Sequence, residues 1–147
     1  MKVKVYSFAT VKKTEEVEHI ISIRNPSYKH SVFDNIYKEL DDKVLPLFDS
    51  SLVIICDDIT EKPEGEWELL FNQTDARKIL AFVKGKENIA IHCNAGMSRS
   101  VAVGTFLKDY FNADVSFTVT GHDKFRNIHI VNVLRRVFLE KKYGNIE

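Results

Sequence analysis

The chain has 147 residues, 44% of them apolar and 29% charged, with 21 basic and 21 acidic side chains. That is one domain's worth of sequence, long enough to build a core without staples, and it excludes a disordered chain, a collagen-like repeat and a coiled coil. The formal net charge of zero gives no support to a dedicated nucleic-acid binder, so nucleic acid is not an expected partner. The two cysteines, Cys56 and Cys93, are too few for a disulfide scaffold and read as free thiols of a reducing compartment. The longest apolar run, Leu52 to Cys56, is far short of the roughly 20 residues of a membrane span. The N-terminus alternates Lys and Val where a signal peptide would be continuously apolar. A cytoplasmic protein with no membrane partner is expected.

In chain order, residues 2–8 alternate in the period of a strand. Thr14 to Val17 suggests a short helical start capped by Thr14. Residues 19–24 (HIISIR) form a β-branched run stopped by Asn25-Pro26. Val32, Ile36, Leu40 and Val44 recur every fourth residue, which predicts a helix over 31–45 ended by Pro46. Residues 52–56 predict a buried strand, and 57–65, acidic and holding Pro63 and Gly65, a loop. A helix is predicted over 74–84, with Asp75 near its start and Gly85 as its stop. Residues 88–93 (NIAIHC) predict a second buried strand, 98–111 a helix, 115–120 a strand and 127–142 an amphipathic helix. No repeat, low-complexity tract or Pro/Gly-rich linker divides the chain. The expected fold class is α/β: a single domain, residues 1–147, with a central, mainly parallel sheet flanked by helices.

One segment carries chemistry. In His92-Cys93-Asn94-Ala95-Gly96-Met97-Ser98-Arg99-Ser100 a buried strand ends at a cysteine, a short loop follows, and a helix begins. Successive loop N–H groups and a helix N-terminus make a cradle for an anion. Gly96 permits a tight turn, and Arg99 adds a planar fork that can grip two phosphate oxygens. The loop residues Asn94, Ala95, Gly96, Met97 and Ser98, with Arg99, are the expected phosphate-binding set. The same surroundings lower a cysteine's pKa from its usual ~8.5, so Cys93 is the expected nucleophile, attacking phosphorus to form a phosphocysteine. Ser100 is placed to hydrogen-bond the sulfur. Asp57 and Asp58, about 35 residues upstream in a loop after a strand, are the candidates to protonate the leaving group. They meet Cys93 if strands 52–56 and 88–92 are near neighbours in a parallel sheet, whose carboxyl edge binds ligands.

The motif HCNAGMSRS resembles the signature of the cysteine-dependent protein tyrosine phosphatases, and its A-G-x-S-R-S ending is closest to the small dual-specificity branch. The order of elements from about residue 50 to about residue 140 is also similar to that family. The resemblance implies phosphomonoester hydrolysis on phosphorylated proteins through a phosphocysteine, with no metal and no cofactor. It implies catalytic roles for Cys93, Arg99 and a loop aspartate, and favours Asp58 over Asp57, because small relatives place the acid before an apolar or Thr/Asn residue. The Trp-Pro-Asp loop of the tyrosine-specific branch and the Lys-rich cradle of the phosphoinositide branch are both missing.

Other assignments stay open. His92 reads as a structural residue that orients the loop, and Cys56 as a buried strand residue, the alternative being a thiol that resolves an oxidised Cys93. Asn127 reads as a helix cap, the alternative being a tether for the active-site loop. His19, His30, His122 and His129 show no metal-ligand spacing. Besides the phosphatase, two functions remain: a phosphate-recognising module with little turnover, and an RNA 5′-phosphatase on the same scaffold.

Overall fold

The computed structural model describes residues 1–26, 37–61, 69–94, 98–118 and 126–144. Five strands, β1 (Lys2–Tyr6), β2 (His19–Arg24), β3 (Ser50–Ile55), β4 (Asn88–His92) and β5 (Asp114–Phe117), make one sheet in the order β3-β2-β4-β1-β5. Every pairing is parallel. All five strands therefore end at the same edge. The central strand is β4. Its residues Ile89 to His92 are all buried, as expected of a parallel strand covered on both faces. It delivers Cys93 to the middle of the carboxyl edge.

Three helices, α1 (Gln73–Val83), α2 (Arg99–Phe111) and α3 (Ile128–Tyr143), belong to one core with the alternate strand residues Val3, Val5, Ile21, Ile23, Ile89 and Ile91. On the opposite face, Tyr6, Ile20 and Ala90 pack with Leu40, Leu45 and Phe48. The helix starts are chemically specified. Asn72 and Asp75 form a capping box at α1, with Asn72 Oδ1 accepting from Asp75 N–H and Asp75 Oδ2 from Asn72 N–H. Asn127 Oδ1 caps α3 by accepting from Ile130 N–H. Helix α2 sits close on the sheet at Gly104, where a Cβ would stand 2.9 Å from Val5 Cγ2 and 3.3 Å from Val115 Cγ1. Among the described residues no helix is long and apolar enough to cross a membrane.

Four expectations change. The strand expected to be buried over 52–56 is the edge strand β3, where Val53 and Ile55 are exposed because β2 pairs with it on one side only. No helix starts at Thr14; residues 15 and 16 form a turn closed by Val17 N–H on Thr14 O, and Val17 is buried directly ahead of β2. Of the helix expected over 31–45, residues 31–36 lie outside the described residues. Residues 37–39 are helical, 40–44 widen into a π turn, and 45–47 tighten into a 3₁₀ turn. Pro46 opens that last turn instead of ending a helix, because a missing N–H is harmless in a first turn. Strands 52–56 and 88–92 are not adjacent: β2 lies between them. Their loops still share the carboxyl edge because every strand runs the same way.

Candidate active site

Cys93 follows β4 directly and is 2% exposed. Its Sγ lies 3.0 Å from Ser100 Oγ, in the first turn of α2. The intervening Ala95, Gly96 and Met97 lie outside the described residues. The two ends of that loop are tied down. Asn94 O accepts from Phe8 N–H at 2.9 Å, and Asn94 Oδ1 accepts from the Tyr37 hydroxyl at 2.9 Å. At the other end Ser98 is the N-cap of α2, and its O accepts from Asn127 N–H at 3.1 Å and from Ala102 N–H at 2.9 Å.

Arg99 is 4% exposed, an extreme position for a cation. Its Nη1 donates to Asn25 Oδ1 at 2.8 Å and to Cys56 O at 2.6 Å. Its Nε is buried and has no hydrogen-bond partner among the described residues. A buried donor left unmade costs about 1–3 kcal/mol, more when charged, so this guanidinium is suited to an anion that would complete it. Asn25 follows β2 and Cys56 follows β3, so the sheet order that separates β3 from β4 lets two strand ends hold the arginine.

The two aspartates differ in what they hold. Asp57 Oδ2 accepts from Leu69 N–H at 2.8 Å, while Asp57 N–H donates to Leu69 O at 2.8 Å. That pair closes the loop on itself. Asp58 is exposed, and its Oδ1 accepts from Ser98 Oγ at 2.7 Å and from Asn127 Nδ2 at 2.8 Å. Asn127 Nδ2 also donates to Ile59 O at 3.1 Å. One side chain thus caps α3 with its oxygen and tethers the aspartate loop with its nitrogen. Ser98 spends its hydroxyl on Asp58 and not on its own helix.

His92 is fully buried between its register partners Tyr6 and Ser22. Burial is the main cause that pushes its pKa down to about 4, so the ring is neutral. Burial pushes the Cys56 thiol up to about 12, against a smaller opposing pull from Arg99. Cys56 is fully buried but lies just past the end of β3, not within a strand, and a thiol so hard to ionise is a poor resolving partner.

Of the residues expected at the site, His92, Cys93, Asn94, Ser98, Arg99, Ser100, Asp57 and Asp58 all lie at the carboxyl edge, and Asp58 reaches the start of α2 through Ser98. Asn25 and Tyr37, which hold the arginine and the loop, were not expected. Asn25 carried one signal, its position before Pro26 at a strand end. Tyr37 carried none. Chemically, the site offers a thiol, a hydroxyl beside it, a buried guanidinium with a free donor, and a carboxyl within reach of solvent.

No protein-family profile matches the chain, and no curated protein matches it. Among solved structures the chain is similar to the human tyrosine phosphatase-like serine/threonine/tyrosine-interacting protein, with a TM-score of 0.53 and 18% identity, over 94% of this chain and 91% of that one. The likeness is one of fold, and the fold is protein tyrosine phosphatase-like.

Proposed function

We propose that the protein is a cysteine-dependent phosphatase that hydrolyses phosphomonoesters of proteins. The observation that carries this reading is the 3.0 Å contact between Cys93 Sγ and Ser100 Oγ at the start of the helix that also bears the buried Arg99. In the first step the Cys93 thiolate attacks phosphorus. A sulfur–phosphorus bond forms, the bond to the leaving oxygen breaks, and the Asp58 carboxyl gives that oxygen its proton. Loop N–H groups from 94–98, the helix N-terminus and Arg99 hold the phosphoryl oxygens. In the second step the Asp58 carboxylate takes a proton from water as the water attacks phosphorus. Phosphate leaves and the sulfur departs as a thiolate, eased by the Ser100 hydroxyl. Asp57 serves the loop and exchanges no proton with substrate.

The test is turnover of an aryl phosphate in the presence of a chelator, by the parent and by Cys93→Ser. The parent turns over, and Cys93→Ser falls at least about a hundredfold while still binding inorganic phosphate, because the cradle is mostly backbone. A parent that binds phosphopeptides without hydrolysing them would instead be a phosphate-recognising module.

A further inference from the structure

Three side chains with no role above form a line that ends on the active cysteine's own carbonyl. Arg24, at the end of β2, is buried and carries a charge. Its guanidinium forks onto Asp41, Nη1 to Oδ2 at 3.0 Å and Nη2 to Oδ1, and the Tyr37 ring stands 5.2 Å away. Its Nε donates to Ser22 Oγ at 2.9 Å. Ser22 Oγ lies 2.6 Å from His92 Nε2, directly across the β2–β4 register. On the far side of the ring, Nδ1 lies 3.3 Å from Cys93 O. The Phe8 ring makes a T-shaped contact with the same ring, 5.7 Å between centroids.

The hydrogens in this line follow from what each group can do. A carbonyl oxygen only accepts, so the ring nitrogen facing Cys93 O carries the hydrogen. The buried ring is neutral and has only one to give, so Nε2 is bare. The Ser22 hydroxyl must then donate to Nε2, and a lone pair of its oxygen receives the hydrogen of Arg24 Nε. Asp41 fixes the guanidinium from outside. The line is polarised in one direction, from Arg24 to Cys93.

We infer that Ser22, Arg24 and Asp41 are positioning residues that hold the His92 ring from its Nε2 side, with its Nδ1–H on Cys93 O, and so fix the peptide plane that opens the Cys93 loop. A trans peptide is planar, and its C=O and N–H point opposite ways. Tying Cys93 O to His92 therefore sets the direction of the Asn94 N–H, the first donor of the loop. The tautomer stands independently of any reaction. Its consequence for turnover rests on the phosphatase reading.

The experiment is long-range proton–nitrogen NMR on the full chain with labelled histidine, together with steady-state kinetics on an aryl phosphate. In the parent, His92 shows a protonated Nδ1 and a bare Nε2. In Ser22→Ala the donor to Nε2 is gone, the ring stays Nδ1–H on Cys93 O but its Nε2 resonance moves to that of an unbonded nitrogen, and kcat falls about five- to tenfold with KM within about twofold, the scale of one lost hydrogen bond. Ser22→Thr, which keeps the hydroxyl, restores the Nε2 resonance and most of kcat. Asp41→Ala, at the exposed end of the line, gives a smaller loss of about two- to threefold. An Nε2–H ring in the parent overturns the inference. So does a Ser22→Ala protein that keeps both the parent Nε2 resonance and the parent kcat. If Ser22→Ala does not fold, the parent spectrum and Asp41→Ala still decide. A parent with the expected tautomer and no turnover overturns the phosphatase reading alone.

Discussion

Asp57 and Asp58 are neighbours in sequence with separate duties in space. Asp57 closes its own loop on Leu69, whereas Asp58 bonds to Ser98 at the start of α2 and to Asn127. Asp58→Asn is therefore expected to lower turnover of phosphotyrosine far more than of an aryl phosphate with a good leaving group. Tyrosine's phenol, with a pKa near ~10, needs a proton as it leaves, and general acid catalysis is worth roughly 10²–10⁴-fold. Asp57→Asn should cost a smaller factor, equal for both substrates. Rates on substrates of graded leaving-group pKa check this; a steep dependence in Asp57→Asn exchanges the two roles. His92 gives a second prediction. The unfolded chain binds a proton there below pH 6.5, while the folded chain does so only near pH 4. Stability from this group is complete above 6.5 and is lost as pH falls toward 4, at about 1.4 kcal/mol per pH unit. Urea unfolding at pH 7, 6 and 5 measures the slope, and His92→Asn should remove about one proton's worth of it. The chemistry from His92 to Ser100 was legible in sequence because its residues are contiguous and each is of a type the task demands. Ser22, Arg24, Asn25 and Tyr37 were not, because strand pairing brings the first three to that loop and packing of a helical turn against it brings Tyr37. A serine and an arginine within the apolar run HIISIR, and Asn25 before Pro26 at its end, were the traces they left.

At the scale of elements, apolar periodicity found the first four strands and the three long helices to within about two residues; β5 ends at Phe117, and 119 and 120 of the expected strand lie outside the described residues. Their ends follow polar caps, Asn72 and Asn127, which periodicity does not see. Within the described part of 31–45 the α-helical reading holds for 37–39 and fails after it, because spacing by four does not separate an α turn from a wider π turn and Pro46 can open a turn as well as close one. Packing gives a prediction that propensity alone would reverse. Gly104 lies inside α2, where alanine gains about 1 kcal/mol of helix propensity. Its Cβ, however, would stand 2.9 Å from Val5 and 3.3 Å from Val115, two β-branched side chains on paired strands. Overpacking of this kind costs about 1–3 kcal/mol, so Gly104→Ala should be destabilising by about 1 kcal/mol net, measured as a lower urea midpoint at unchanged slope. A rise in the midpoint would mean that α2 moves off the sheet freely.

Across the whole molecule, one directional fact assembles the site: all five strands are parallel, so the ends of β1, β2, β3 and β4 converge on one edge. Phe8 and Asn94 are bonded there, Asn25 and Cys56 hold Arg99, and Asp58 meets Ser98. Parallel pairing was legible from alternating strands and helices. The order β3-β2-β4 was not, since buried strands of similar composition carry no label for their neighbours. The central claim is that phosphorus passes through sulfur at Cys93. Rapid acid quenching during turnover of an aryl phosphate, followed by mass spectrometry of the peptide holding residues 92–100, tests it most directly. One phosphoryl group on Cys93, formed during turnover and missing from Cys93→Ser, is the predicted result. Turnover with no phosphoryl group on Cys93, or with the group on another residue, would contradict it.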